Sequence, residues 1–223
     1  MDLKSAIRRR IAKQSPFGVW TPVDFLDLGS RDAVDQALSR MTAAGDIRRI
    51  TRGLYDLPRP NKLTGKPTNP DPRRIIDTLA RRDQARMLVD GLTAANDLGL
   101  SDAVPARIAV HTDARLRPIK LGAQTITFRP TAPSRLYWAG RPAMRVVQAL
   151  HWLRDMLSSD RERIARRLAA IMADPDSGAA IVADLREGFT SLPEWMRSFL
   201  RPLLDEASLS RARRSKRKVG AGS

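Results

Sequence analysis

Residues 30–57 read SRDAVDQALSRMTAAGDIRRITRGLYDL, and the reading of this stretch decides the fold. Ser30 follows Gly29 and precedes a helix-favouring run. Its hydroxyl is therefore placed to accept from the free amides of a first helical turn, and Asp32 complements the helix dipole. Val34, Ala37, Leu38 and Met41 recur at steps of three and four, which sets an apolar stripe toward a core and turns Asp32, Gln36, Ser39 and Ala43 outward. Gly45 stops the helix. Ile47, Ile50, Leu54 and Leu57 then mark a hairpin whose turn, Thr51-Arg52-Gly53, holds the glycine a tight reversal needs. Arg48, Arg49 and Arg52 fall on or near the tip of that ribbon, and guanidiniums gathered there want an anion.

Upstream, Leu3, Ala6, Ile7 and Ile11 predict an amphipathic helix with Lys4, Arg8, Arg9 and Lys13 on its wetter side, ended by Pro16 and Gly18. Val19-Trp20 is a short extended piece. Thr21-Pro22 caps and opens a brief helix through Leu28. The order helix, short strand, helix, helix, hairpin is that of a winged helix-turn-helix, whose last helix enters the major groove of DNA while the hairpin rides on the backbone or minor groove. On that reading Ser30 starts the recognition helix and Gln36, Ser39 and Arg40 reach base edges. Arg31, Arg48, Arg49 and Arg52 neutralise phosphates. A small helix-plus-hairpin domain can also dock proteins, and Asp32 and Asp35 beside Arg31 and Arg40 keep that alternative open.

Composition narrows the partner. The 223 residues suffice for two domains, and 42% hydrophobic content suffices for real cores. Forty basic against 24 acidic residues give a formal charge of +16, which favours a polyanion, nucleic acid being the simplest. With no cysteine there is no disulfide, thiolate metal site or cysteine nucleophile, and a cytoplasmic address fits. No apolar run approaches the roughly twenty residues of a membrane span, and the N-terminus lacks the apolar core of a signal peptide.

After the hairpin, residues 58–72 hold five prolines and almost no apolar residue, the composition of a stiff linker. Beyond it the spacing predicts a short helix over 73–80 and a buried strand over 85–89. A helix over 92–100 follows, ending in Leu98-Gly99-Leu100. Strands over 107–112 and 124–128 come next, the second closing a hairpin through Lys120 to Ala123. From Pro142 helices take over. Val146, Leu150, Leu153 and Leu157 form one face, and Ile164, Leu168 and Ile171 another. Ser191-Leu-Pro-Glu194 has the spelling of a capping box, and Pro202 should kink or split the last helix. Arg163, Arg166 and Arg167 gather opposite an apolar stripe as a secondary basic surface, or simply as a solvated one. The tail 211–218, RARRSKRK, should be disordered alone and add sequence-independent affinity for nucleic acid.

These residues resemble the AbiEi family of bacterial type IV toxin-antitoxin antitoxins. The likeness lies in the wing strand Arg52-Gly53-Leu54-Tyr55, the proline-rich link, and an α/β domain with the helix end Asn96 to Ser101. It runs from about Leu3 to about Met156. The resemblance implies an N-terminal domain that represses its own operon by binding operator repeats, and a C-terminal domain that neutralises a nucleotidyltransferase toxin. It places the DNA contacts on the helix from Ser30 and on the wing arginines. A stand-alone winged-helix regulator with no toxin partner is the alternative.

Enzymatic readings find little. His111 and His151 lie in separate elements, and Asp90 and Asp113 are the only acidic pair at strand ends that could converge on a metal, as a nuclease would need. No glutamate precedes Glu162, and no GxxxxGK[ST], GxSxG or HExxH is present. The expectation is an α+β protein. A winged helix-turn-helix at 1–58 and a proline-rich linker at 59–72 lead to a mixed α/β domain ending in helices at 73–209, then a basic tail at 210–223. It uses no cofactor, metal or catalytic residue. Its partners are double-stranded DNA and a cognate toxin, with no membrane, and it is a monomer or weak dimer that assembles on DNA.

Overall fold

The computed structural model describes residues 2–13, 18–61, 65–103 and 105–220, without side chains beyond residue 207. The chain is mixed α+β and divides into two compact units. Unit 1 is Met1–Met87 with Ala106–Arg135; unit 2 is Leu88–Pro105 with Leu136–Ser223.

Unit 1 begins with α1 (Leu3–Lys13), β1 (Val19–Trp20) and a 3-10 turn (Pro22–Phe25). The turn is held by Asp24, whose Oδ2 accepts from the Thr21 amide at 2.7 Å and the Thr21 hydroxyl at 3.0 Å. Then come α2 (Arg31–Ala43), β2 (Arg48–Thr51) and β3 (Leu54–Asp56). Ser30 caps α2 as expected, its hydroxyl accepting from the Ala33 amide at 3.4 Å. Val34, Ala37, Leu38 and Met41 are buried in one cluster with Ile7, Ile11, Trp20, Phe25 and Tyr55. β1, β3 and β2 form an antiparallel sheet in that order, with Trp20 opposite Tyr55 and Arg48 opposite Asp56.

The proline-rich segment is knitted into this unit. Thr68 N–H donates to the Arg59 carbonyl at 2.7 Å and Asn61 N–H to the Lys66 carbonyl at 2.8 Å, so the segment doubles back on itself. Arg48 Nη2 reaches the Thr68 carbonyl at 2.9 Å. Next, α3 (Pro72–Asp83) carries Thr78, whose hydroxyl donates to the Val19 carbonyl at 3.3 Å. Buried hydrogen bonds of this kind make α3 a part of the N-terminal body.

The remaining strands of unit 1 are β5 (Arg107–Thr112), β6 (Ile119–Leu121) and β7 (Gln124–Pro130). β5 pairs parallel with β7, and β6 antiparallel with β7, closing the expected hairpin at Gly122. The chain passes into unit 2 within β4 (Met87–Val89).

Unit 2 is helical from there: α4 (Gly91–Asp97), α5 (Met144–Leu153), α6 (Arg161–Met172), α7 (Gly178–Glu187) and α8 (Glu194–Gly220). α4 packs closely on α5, because a Cβ at Gly91 would stand 2.6 Å from Trp152 Cβ and 2.7 Å from the Gln148 carbonyl. Leu150, Leu153, Ile164, Leu168, Leu185, Met196 and Leu200 are buried. The capping-box spelling is not used, since the Ser191 hydroxyl donates to the Gly188 carbonyl at 2.7 Å and α8 starts at Glu194. Pro202 interrupts nothing either. The helix runs on through it, and the donor it removes would have served Ser198, an exposed residue whose carbonyl can turn to water. The backbone of α8 spans 211–218, but the side chains of that basic tail lie outside the described residues. Among the described residues no helix is long and apolar enough to cross a membrane.

Candidate nucleic-acid interface

The outward face of α2 is built as its periodicity requires. Arg31, Asp32, Asp35, Gln36, Ser39 and Arg40 are exposed, with the apolar stripe behind them fully buried. Arg31 Nε meets Asp35 Oδ2 at 2.9 Å, one turn along, so these two charges offset each other. Arg40 has no ion-pair partner among the described residues, and neither has Asp32.

On the hairpin the three arginines part company. Arg49 and Arg52 are exposed and carry no ion pair among the described residues. Gly53 takes the left-handed φ of +68° that reverses the chain and holds Arg52 out at the tip. Arg48, expected to neutralise phosphate, is instead structural. Its Nε lies 2.9 Å from Asp56 Oδ1 and its Nη2 2.5 Å from Asp56 Oδ2, where the Asp56 side chain is only 8% exposed. A carboxylate so buried between strands demands a cation, and Arg48 is directly across the ladder.

Three basic residues of α1 are likewise occupied. Lys4 Nζ and Arg8 Nη2 reach Asp46 at 2.9 and 2.6 Å, and Arg10 grips both oxygens of Asp27 at 2.5 and 2.6 Å. The Lys4 hydrogen bond, aided by Arg8, holds the Asp46 carboxyl below its ordinary range, and Arg10 does the same for Asp27.

A second cationic face was not foreseen. Along β5 the buried residues are Ile108, Val110 and Thr112, so Arg107, Ala109 and His111 take the other side. The register sets Arg107 beside Thr125, His111 beside Arg129, and Lys120 beside Thr125. One face of the three strands therefore presents Arg107, Lys120 and Arg129, all exposed, with Thr125, Thr127 and His111 between them and no carboxylate. Alternation in β5 and β6 was the available signal, but only the parallel β5–β7 pairing gathers these residues into one row.

The surface on α6 divides in the same manner as the hairpin. Arg167 Nε donates to the Leu98 carbonyl at 2.7 Å, and Arg163 donates to the Leu100 carbonyl at 3.4 Å and pairs with Asp160 at 3.0 Å. They cap the C-terminal end of α4, where unsatisfied carbonyls attract cations. Only Arg166 of the expected trio is left outward without such a contact.

The candidate metal pair is also spoken for. Asp90 caps α4, accepting from the Thr93 amide at 2.9 Å and hydroxyl at 3.0 Å, and Asp113 accepts from the Arg86 amide at 2.9 Å. Among the described residues no group of three or more His, Cys, Asp or Glu is placed to hold a metal ion. His111 Nδ1 lies 3.1 Å from Thr131 Oγ1, and His151 stands edge-on to Trp195 with ring centroids 6.0 Å apart. Desolvation there, with Arg154 nearby, lowers the His151 pKa.

Charge is unevenly shared between the units. Unit 1 holds 24 basic and 11 acidic residues, net +13; unit 2 holds 16 and 13, net +3, with six of its basic residues in the tail 211–218. No curated protein matches the chain. Residues 6–172, which take in all of unit 1 beyond its first few residues and unit 2 as far as α6, match DUF6088, a family of unknown function, and the chain belongs to that family.

Proposed function

We propose that the N-terminal part of unit 1 is a winged helix-turn-helix and that the protein is a cytoplasmic, non-enzymatic DNA-binding regulator. In this reading α2 enters the major groove and the β2–β3 hairpin is the wing. The observation that carries it is the concentration of charge: net +13 in unit 1, with Arg49 and Arg52 outward on the hairpin and Arg107, Lys120 and Arg129 on an acid-free sheet face. Such a distribution suits a polyanion carrying regularly spaced phosphates. Arg49, Arg52 and the sheet-face cations supply sequence-independent affinity, and repression follows from occlusion of a promoter.

The resemblance to AbiEi antitoxins adds a second role, in which unit 2 binds a nucleotidyltransferase toxin. Its support is the near-neutral charge of that unit and the exposure of Trp152 and Met156, four residues apart, since aromatic and methionine side chains are enriched at protein interfaces.

Titrating the full chain against duplex DNA from its own upstream region, over a range of salt, tests the first role. Affinity should fall linearly in log–log form with a slope of several counterions. Absent binding, or binding indifferent to salt, refutes it. Co-expression with the product of the adjacent reading frame tests the second. Rescue of growth and a stable complex support an antitoxin, and neither would leave a stand-alone regulator.

A further inference from the structure

We propose that α2 chooses its sites through two side chains, Arg40 on a guanine and Gln36 on an adenine about two base pairs away. The inference rests on the DNA-binding reading and names the base-pair chemistry which that module recognises.

The charges on α2 lead to it. Arg31 and Asp35 cancel one another at 2.9 Å, leaving Arg40 as the helix's one outward cation without an ion pair among the described residues. Asp32, exposed two turns before it, balances that charge, so the outward line has no net attraction for the DNA backbone. What the line does have is hydrogen-bonding shape. The planar fork of Arg40 matches the O6 and N7 acceptors of guanine, and the Gln36 amide matches the N6 donor and N7 acceptor of adenine. Both residues are exposed and stand on one face, separated by a single turn. Four residues rise about 6 Å, against about 3.4 Å for each base pair, so a helix lying along the groove sets the two contacts roughly two pairs apart. Ser39, between them on the same face, can donate or accept and so discriminates least.

Affinity and selectivity therefore reside on different elements. Arg49, Arg52 and the basic sheet face hold the duplex, whereas α2 reads it.

The test exposes the full chain, and its Arg40→Ala and Gln36→Ala variants, to a pool of duplexes with a randomised central segment, and sequences the bound fraction. The parent chain should enrich a guanine with an adenine about two pairs away. Arg40→Ala should lose the preference at the guanine by roughly 5- to 150-fold, and Gln36→Ala that at the adenine, each leaving the preference at the other position in place. Matching melting curves verify that the exposed substitutions leave the fold intact. Enrichment of one motif by all three chains overturns the inference, as does loss of binding to the unselected pool in both variants. If the parent chain binds the pool with steep salt dependence but enriches nothing, this inference alone falls. If it does not bind the pool, the DNA-binding reading falls with it.

Discussion

Arg48 and Asp56 face one another across β2 and β3, joined by two hydrogen bonds of 2.9 and 2.5 Å. The arginine also reaches the Thr68 carbonyl at 2.9 Å, so a single side chain fastens the hairpin to the proline-rich segment. Arg48→Ala should therefore act on stability. Leaving Asp56 buried and unpaired should cost about 2–3 kcal/mol, below the ~3–5 kcal/mol of a fully buried pair because Arg48 retains some solvent access. Thermal unfolding of the variant checks this, and an unchanged melting temperature would show that the pair holds nothing together.

Arg49 and Arg52 make the contrasting case, being exposed and without ion pairs among the described residues. Arg49→Ala and Arg52→Ala should leave the melting curve unmoved and each reduce the salt slope of duplex binding by about one. Anisotropy titrations at several salt concentrations read that slope directly.

The sheet face should behave like the hairpin tip. Replacing Arg107, Lys120 and Arg129 together by alanine should weaken binding to every duplex alike, reduce the salt slope by up to about three, and leave base preference intact. A triple variant with parental affinity would remove this face from the interface.

Gly99 has φ +65°, and a Cβ there would stand 3.0 Å from an Arg167 nitrogen, the same guanidinium that caps Leu98. Gly99→Ala should destabilise unit 2 by about 1–2 kcal/mol through left-handed strain, more if Arg167 is displaced. Chemical denaturation followed by far-ultraviolet circular dichroism measures it.

Acid should weaken unit 1 slightly through Asp27 and Asp46. Both carboxyls are held below the ordinary value of 3.8 by basic residues of α1, so the folded state releases their protons more readily than the unfolded chain. The stability they contribute is fully present above that value and is lost as pH falls through the lower folded pKa. Asp46→Asn should flatten the stability–pH curve below about pH 4, in a series of denaturation curves taken from pH 6 downward. Parallel curves for parent and variant would refute the linkage.

Several local signals were legible in the sequence, although the capping-box spelling at Ser191 and the break expected at Pro202 were not realised. Ser30 capped α2, the 107–112 strand appeared with the expected bounds, and Gly99 ended α4. What stayed hidden depended on long-range pairing. The partner of Arg48 lies across a ladder whose register shifts between Arg49 and Thr51, so simple hairpin counting misses it. Arg107 and Arg129 meet on one face only because β5 and β7 run parallel, which no turn between them announces. Likewise Arg163 and Arg167 look solvated along α6 until the end of α4 is set against them.

The division into units also has a consequence for synthesis. The backbone crosses from one unit to the other three times, at residues 87, 105 and 135. A nascent polypeptide can assemble its first 57 residues early, but the strands that complete the same body emerge only after the opening helix of the second has left the ribosome. Neither body is then obtained by cutting the gene at one point, and a fragment ending after the proline-rich segment would lack half of the cationic surface proposed to meet DNA.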